Sequence, residues 1–242
     1  MYKYLLLLGA VGVWGQTGIL STVAGTGTAG YSGDGGPARS AALAFAPTRQ
    51  EPGQENPAEL DQYMQLWVDQ QANLWICDNG NHRVRRVGPD GVIATAAGTG
   101  TRGYDRDGIP ARSAALFGPA AVLVDPRDGT VYIADEQNNR IRRVAADGNI
   151  TTVVGNGQHV IYTASAVPTA SGMDWPSGLA LDAAGTLYFS EVHSNRVAKI
   201  AGNRIVTVAG DGLGGVSGDG GPAIAAKLRA PAGIAIDSRG NL

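Results

Sequence analysis

The amino-acid sequence predicts an all-β fold built from a repeated four-stranded unit, and three features support this prediction. A stretch of ten residues, 78–87, recurs at 135–144 and, in a looser form, at 191–200. Around each copy lie short runs rich in β-branched residues, which favour strands. Asp-Gly pairs and Asp-x-x-Gly segments separate these runs and are typical of tight turns between antiparallel strands. Four strands in each unit, repeated at a nearly constant spacing, are typical of the blades of a β-propeller.

The repeat divides the predicted propeller domain, residues 16–242, into four units, of which the last is incomplete. The units are 18–90, 91–147, 148–203 and 204–242. Three complete blades are predicted at 66–97, 120–154 and 178–209. A leading outer strand is predicted at 19–24, and the beginning of a fourth blade at 231–242.

Composition excludes two classes of partner. The chain has 242 residues, 36 of them glycine, and a formal net charge of −2. The glycines punctuate β-rich runs at regular places, which indicates turns rather than disorder. The nearly balanced charge offers no basic surface for nucleic acid and no polybasic segment for an anionic membrane.

The first 15 residues resemble an export signal. Lys3 precedes an apolar run at 4–14, and a cleavage site is expected ahead of Gln16. The run is shorter than the ~20 residues that span a bilayer, so no membrane span is expected after its removal; the alternatives are a buried strand or an uncleaved anchor. Cys77 has no partner for a disulfide and is expected to be a small buried hydrophobe. A secreted or periplasmic location, in bacteria, is therefore predicted.

Two segments carry a resemblance to the NHL-repeat family. The run 231–242 is similar to the start of an NHL unit, and the stretch 78–87 to its middle. Gly-Asp-Gly-Gly-Pro-Ala at 33–38 and 218–223 is similar to the loops of teneurin-type and exported bacterial NHL proteins. Unit three, with Tyr-Phe-Ser-Glu at 188–191, more closely resembles the virginiamycin B lyase-like propellers.

The resemblance implies a ring of six blades, of which this chain holds about half. Either the chain is a fragment of a longer protein, or it is half a ring that assembles with another chain. An open blade edge exposes a row of unpaired backbone groups, which natural proteins avoid. A fragment is therefore favoured.

One rim of the propeller is the predicted binding face. In an up-and-down blade, the turn between the second and third strands exits on the same side as the loop that leads to the next blade. The long glycine-rich loops and the Asp-x-x-Asn-x-Arg turns therefore share this rim, and long loops on a rigid scaffold commonly bind ligands. An acidic insertion at 48–64, with a short helix predicted from Asn56 to Met64, is expected on the same rim as a lid, a partner contact or an inert insertion.

An acid and an arginine, five residues apart, recur across the turn of each blade. The pairs are Asp78 with Arg83, Asp135 with Arg140, and Glu191 with Arg196. A ring of such groups could hold an anionic ligand. Because the pair recurs in every blade, the favoured interpretation is structural: the acid accepts N–H groups of the turn, and the arginine pairs with it.

Nine residues on the same rim are candidate binding residues. They are Tyr31, Asp34, His82, Tyr104, Asp107, His159, Glu191, His193 and Asp219. The tyrosines could stack on a sugar or a peptide, but loop packing is the simpler interpretation. The loop aspartates could coordinate Ca²⁺ or another divalent ion, but turn or helix capping is favoured.

The histidines come from different units and show no ligand spacing such as His-x-x-x-His. The zinc chemistry of the peptide-amidating lyase, a related propeller, is therefore not expected. Resemblance to virginiamycin B lyase implies a catalytic histidine with Mg²⁺-binding acids, for which His193 beside Glu191 is the local candidate.

The predicted function is a non-catalytic scaffold that binds a protein, peptide or glycan, without a cofactor. The alternative is a propeller enzyme, a lyase or lactonase with a divalent metal at the channel mouth. The alternative requires a histidine clustered with acids within ~5 Å on the rim. RNA binding, as in tripartite-motif NHL proteins, is disfavoured by the export signal and the charge.

Overall fold

The computed structural model describes residues 21–45, 65–160 and 167–242. Thirteen strands in these ranges form three antiparallel sheets. The first sheet holds β1 (Trp67–Val68), β2 (Leu74–Asp78), β3 (Arg83–Val87) and β4 (Ile93–Ala97). The second holds β5 (Ile109–Pro110), β6 (Pro119–Val124), β7 (Val131–Asp135), β8 (Arg140–Val144) and β9 (Asn149–Val154). The third holds β10 (Pro176–Leu181), β11 (Leu187–Glu191), β12 (Arg196–Ala201) and β13 (Arg204–Ala209).

The three sheets confirm the three predicted blades. In each, four strands run in chain order, and the second sheet adds the short β5 beside β9. The third and fourth strands show a register shift at the same place in every blade, between Val84 and Arg85, Ile141 and Arg142, and Val197 and Ala198. The blades are therefore equivalent, and Arg85, Arg142 and Ala198 occupy matching positions.

Two predicted strands at the ends of the propeller are not formed. The described part of the leading strand, 21–24, lies in bends and irregular backbone, and residues 231–242 contain only a turn. A strand needs a neighbour with which to exchange backbone hydrogen bonds. In the described part of the chain neither segment has one.

Short 3₁₀ helices mark the loops and the turns. Those in the long loops are Ala38–Ser40, Ala111–Ser113, Pro168–Ala170 and Ala223–Ala225, and those in the turns are Asn79–Asn81 and Glu136–Asn138. The first two long loops pack on the blades that follow them: the Gly35 N–H donates to the Ile93 carbonyl of β4, and the Gly108 N–H donates to the Ile150 carbonyl of β9. The signal segment 1–15 and the whole insertion 48–64, with its predicted helix, lie outside the described residues.

Apolar residues between neighbouring blades form the core. One cluster joins Cys77 of β2 to Val122 of β6, and a second joins Ala121 of β6 to Phe189 of β11. Cys77 is buried and unpaired, as predicted, and burial raises the pKa of its thiol. No helix in the described ranges is long and apolar enough to cross a membrane.

Candidate functional site

The turn acids contact the long loops, but two of the three predicted acid–arginine pairs are wrong. Asp78 pairs with Arg85 at 3.2 Å, and Asp135 pairs with Arg142 at 3.3 Å. Arg83 and Arg140 instead donate to carbonyl groups of the turn and of the following loop. Both acids also accept an N–H of the long loop, from Ala44 and Phe117.

The partner differs because the residue two positions further along β3 or β8 is also an arginine on the same face of the strand. The side chains of Arg85 and Arg142 are buried, and each bridges the turn acid to a loop aspartate, Asp34 or Asp107. In the third blade this position is Ala198, so the longer acid Glu191 pairs with Arg196 at 2.9 Å, as predicted. Burial is the main cause of the raised pKa of Glu191.

Tyr31 and Tyr104 pack within the loops, as the simpler interpretation stated. The Arg83 guanidinium lies 3.7 Å from the Tyr31 ring centroid, and the Arg140 guanidinium lies 3.8 Å from that of Tyr104. The hydroxyl of Tyr31 also donates to Asp34. One face of each ring is therefore already used by an arginine of its own blade.

Replacing Tyr104 by valine, the residue at the matching position of unit four (Val216), is expected to lower the free energy of unfolding by about 0.5–2 kcal/mol, because the cation–π contact with Arg140 is lost. Urea denaturation measures the change. Tyr104→Phe keeps the ring and is the matched control. If Tyr104→Phe is as destabilising as Tyr104→Val, the ring face is not what stabilises the loop.

The loop aspartates do not cap helices. The residues that precede the 3₁₀ helices are Pro37, Pro110 and Pro222, and none of these helices has a side-chain cap. Asp34 and Asp107 bind the buried arginines instead. Burial raises the pKa of Asp34, but hydrogen bonds from Thr95 and Tyr31 and the charge of Arg85 outweigh it, and the pKa lies below the usual value. Asp219 lies exposed in the last described loop.

His82 joins one blade to the next. It has a left-handed backbone (φ 53°), like Asn139 and Asn195 at the matching positions of the other turns. Its Nδ1 accepts the Gly118 N–H at 3.3 Å, as the Asn139 and Asn195 amide oxygens accept an N–H from the next blade entry. Partial burial, together with the charges of Arg102 and Arg83, lowers the pKa of His82, which favours the neutral ring that can accept.

The other two histidines meet at an acid that the sequence analysis missed. His159 Nε2 lies 2.5 Å from Asp174 Oδ1, and His193 Nδ1 lies 3.4 Å from the same oxygen. One donor atom from each of the three residues falls within 4.8 Å of the others. His159 comes from the loop after β9, Asp174 from the entry to β10, and His193 from the turn after β11.

Asp174 is the buried member of this cluster. It is 5% exposed, whereas the His159 and His193 side chains are 51% and 36% exposed. Its Oδ2 accepts a hydrogen bond from Ser194 Oγ, but among the described residues no hydrogen bond of normal geometry reaches Oδ1. Burial raises the pKa of Asp174, but contact with His193, the charges of His159 and His193, and the Ser194 hydrogen bond outweigh it and lower the pKa. The carboxylate is therefore ionised at neutral pH.

Trp175 forms one wall of the cluster. Its ring lies 4.7 Å from that of His193 and 6.5 Å from that of His159, centroid to centroid. Its backbone is left-handed (φ 57°), where the second blade has Gly118 (φ 59°). A bulky side chain in this conformation costs of order 1–3 kcal/mol, and such strain is common at functional sites.

The proposed pairing of His193 with Glu191 is wrong. The Glu191 carboxylate is held by Arg196 and by the Asp174 N–H, so it is not available to a metal beside His193. The ligand set that forms has two imidazoles and one carboxylate, whereas Mg²⁺ prefers oxygen ligands. The Mg²⁺ site implied by the lyase resemblance therefore does not fit these residues.

Comparison of unit three with unit two could have revealed Asp174. The Phe117 N–H donates to Asp135, and the Asp174 N–H donates to Glu191, so Phe117 and Asp174 are equivalent. Ala44 holds the same place in the first blade, so a carboxylate where the other two blades have apolar residues was a signal in the sequence. Sequence reasoning missed it because the residue lies outside the recurring ten-residue stretch.

Comparison with known proteins supports the fold. No family model matches the chain. Teneurin-m of Drosophila melanogaster is 26% identical over 137 residues, which is 52% of this chain and 5% of that protein. A Bacteroides thetaiotaomicron protein of unknown function has a TM-score of 0.57 at 18% identity, over 72% of this chain and 42% of that one.

Two further structures are similar. An auxiliary nutrient binding protein from Bacteroides thetaiotaomicron has a TM-score of 0.52 at 16% identity, over 70% of this chain and 41% of that one. Virginiamycin B lyase from Staphylococcus aureus has a TM-score of 0.43 at 18% identity, over 72% of this chain and 45% of that one. The chain thus spans less than half the length of these relatives. It carries blades of a β-propeller, and the NHL type of its repeats stays a prediction.

Proposed function

We propose that the chain is part of an exported propeller that binds a protein, peptide or glycan without chemical change. The binding face is the rim of the third blade, around His159, Trp175 and His193. One observation carries this proposal: of the nine candidate residues, the two exposed histidines are the ones that the structure gathers with an acid beside a tryptophan. Most of the other candidates make ion pairs, ring contacts or hydrogen bonds that hold the loops and turns of the blades together.

The chemistry of this rim suits recognition. Aromatic and imidazole rings offer apolar faces for stacking and polar atoms for hydrogen bonds. The cluster lies on a rigid sheet edge but is formed by loops, which is a common arrangement for binding sites. Nutrient binding, named for two Bacteroides structures of similar fold, is consistent with this proposal.

Glycan and peptide arrays probed with the fluorescently labelled chain test the proposal. The double variant His159→Ala/His193→Gln introduces residues from matching repeat positions (Ala29 and Gln137), so it is expected to fold and to lose binding by about tenfold or more. His82→Asn is the matched control, because asparagine occupies that position in the other two turns. Binding that the double variant retains, or no binding by the parent chain, would contradict the proposal.

A propeller enzyme, a lyase or a lactonase, is the second candidate, because two histidines and an acid do meet within ~5 Å as that alternative requires. Mass spectrometry of a ligand recovered from the array experiment separates the two. A cleaved or ring-opened ligand supports the enzyme, and an unchanged ligand supports the scaffold.

Export is proposed from the first 15 residues. Mass spectrometry of the secreted protein is expected to find a mature N-terminus at Gln16. A mature chain that still begins at Met1 would contradict it.

A further inference from the structure

The donor atoms of the three residues are almost as far apart as the ligands of a single metal ion. Zinc binds imidazole nitrogen at about 2.0–2.1 Å and carboxylate oxygen at about 2.0–2.2 Å, so ligands of one ion lie roughly 3.2–3.5 Å apart. Asp174 Oδ1 lies 2.5 Å from His159 Nε2 and 3.4 Å from His193 Nδ1. All three donors lie within 4.8 Å of one another. Small rotations of the two exposed imidazoles would bring them into coordination geometry.

The buried Asp174 carboxylate is the anionic member of this donor set. Asp174 is 5% exposed, and its Oδ1 has no hydrogen bond of normal geometry among the described residues. Its short contacts are with His159 Nε2 and His193 Nδ1, the two atoms that would share a metal ion with it, and buried charges are normally paired or bound to metal. The other oxygen, Oδ2, is held by Ser194, which fixes the orientation of the carboxylate in the way that outer hydrogen bonds orient metal ligands.

The second blade shows that the propeller does not need these residues for its architecture. Arg102 is equivalent to His159, because the backbone of Arg102 forms an isolated β-bridge with Leu116, as that of His159 does with Met173. Phe117 matches Asp174, and Gln137 matches His193, each two residues after its turn acid. In blade two the Arg102 guanidinium lies over the Phe117 ring. All three positions therefore carry, in unit three, residue types that bind metals, where unit two has Arg102, Phe117 and Gln137.

We propose that His159, Asp174 and His193 form a binding site for a divalent transition-metal ion, with Zn²⁺ the best match. Two imidazoles and a carboxylate suit zinc and its neighbours in the first transition row, whereas Mg²⁺ and Ca²⁺ prefer oxygen ligands. Three protein ligands leave a coordination position open, and it faces solvent, since both histidines are exposed. Water or an oxygen atom of a ligand would take that position. This inference rests on the proposed function only in placing the ligand on the same rim.

Isothermal titration calorimetry of the untagged chain with ZnCl₂, after treatment with EDTA and buffer exchange, tests the site. We expect binding of one Zn²⁺ per chain. His193→Gln and Asp174→Asn are each expected to weaken it by about 100-fold or more, which corresponds to about 2.7 kcal/mol. His82→Asn, which alters a histidine outside the cluster, is expected to leave zinc affinity unchanged. Co²⁺ substitution is expected to give the intense visible absorption of a four-coordinate ion.

Thermal unfolding guards against a variant that fails to fold. Zinc bound to the native state raises the melting temperature of the parent chain, and it should not raise that of a folded His193→Gln variant. Failure to bind stoichiometric zinc, or zinc binding that survives in His193→Gln and Asp174→Asn, overturns the site. Equal affinity for Mg²⁺ or Ca²⁺ overturns the assignment to a transition metal.

The metal site and the proposed function fail separately. Zinc binding is measured without any ligand, and the arrays are probed both with EDTA and with ZnCl₂. Histidine-dependent ligand binding in EDTA, together with no calorimetric signal for zinc, would refute the metal site alone. Zinc binding without any array signal would refute the proposed function alone.

Discussion

Replacing Arg142 by alanine is expected to lower the free energy of unfolding by about 3–5 kcal/mol, the largest effect foreseen for a single side chain here. Arg142 is fully buried and bridges Asp135 to Asp107. Asp135 is also fully buried. Removal of the Arg142 side chain therefore leaves the Asp135 carboxylate in the interior without its cation. An unpaired buried charge destabilises the fold more than the loss of the ion pair alone would. Denaturation in urea measures the change.

The size of this effect depends on pH. Burial raises the pKa of Asp135 to about 6 in spite of the lowering contributions of the Phe117 N–H, Asn138 and Arg142. Without Arg142, the pKa of Asp135 in the folded state rises further above its value in the unfolded state. The stabilising contribution of the protonated Asp135 is complete below the unfolded pKa and is lost as the pH rises through the folded pKa. The deficit of the variant relative to the parent chain is therefore expected to grow as the pH rises above about 6.

Arg143→Ala is the matched control for Arg142→Ala. Arg143 is the next residue of β8, is only partly buried and forms no ion pair in the described part of the protein. Its replacement is expected to change stability by no more than about 0.5 kcal/mol. Equal effects of the two substitutions, or a deficit that does not vary with pH, would show that the buried charge is not the cause.

Gly155→Ala is expected to be the second most damaging substitution, with a loss of about 3 kcal/mol or more. Gly155 follows β9 with φ +92°, a conformation that disfavours a side chain. A Cβ there would also collide with the Asn139 carbonyl oxygen and lie 2.9 Å from Arg140 Cα and 3.0 Å from the Met173 sulfur. These are mostly backbone atoms of the turn, which cannot move without breaking the blade. The midpoint of thermal or urea unfolding reports the loss.

Gly148→Ala separates backbone strain from collision. Gly148 has a similar φ of +79°, but a Cβ there would meet no atom within 4 Å. Only the strain remains, and a loss of about 1 kcal/mol is expected. If Gly148→Ala costs as much as Gly155→Ala, strain alone accounts for the requirement for glycine.

The repeat was readable from the sequence because it is local. Asp-Gly turns, β-branched runs and constant spacing specify strands and their order without reference to distant residues, and the three sheets follow the predicted blades. Burial of Cys77 was likewise predictable from its place in an apolar strand.

The partners of the charged residues were not readable, because sequence distance is a poor guide to which side chains meet. Arg83 is nearer to Asp78 along the chain, yet Arg85 on the same strand face takes the acid. The prediction of the leading strand was wrong in its described part for a related reason. Residues that favour strands form none unless a neighbouring strand exchanges backbone hydrogen bonds with them.

By itself the sequence determined the blade architecture, the turns and the rim on which long loops lie. Only the tertiary structure decided where a site can be. Folding brings His159, Asp174 and His193, which lie in three separate segments, within 4.8 Å, and it buries the acid while the histidines stay exposed. The physical reason is that local preferences fix the strands and turns of each unit, whereas a site depends on the packing of one loop against the next blade. The same ten-residue stretch can therefore build a turn in two blades and part of a candidate metal site in the third.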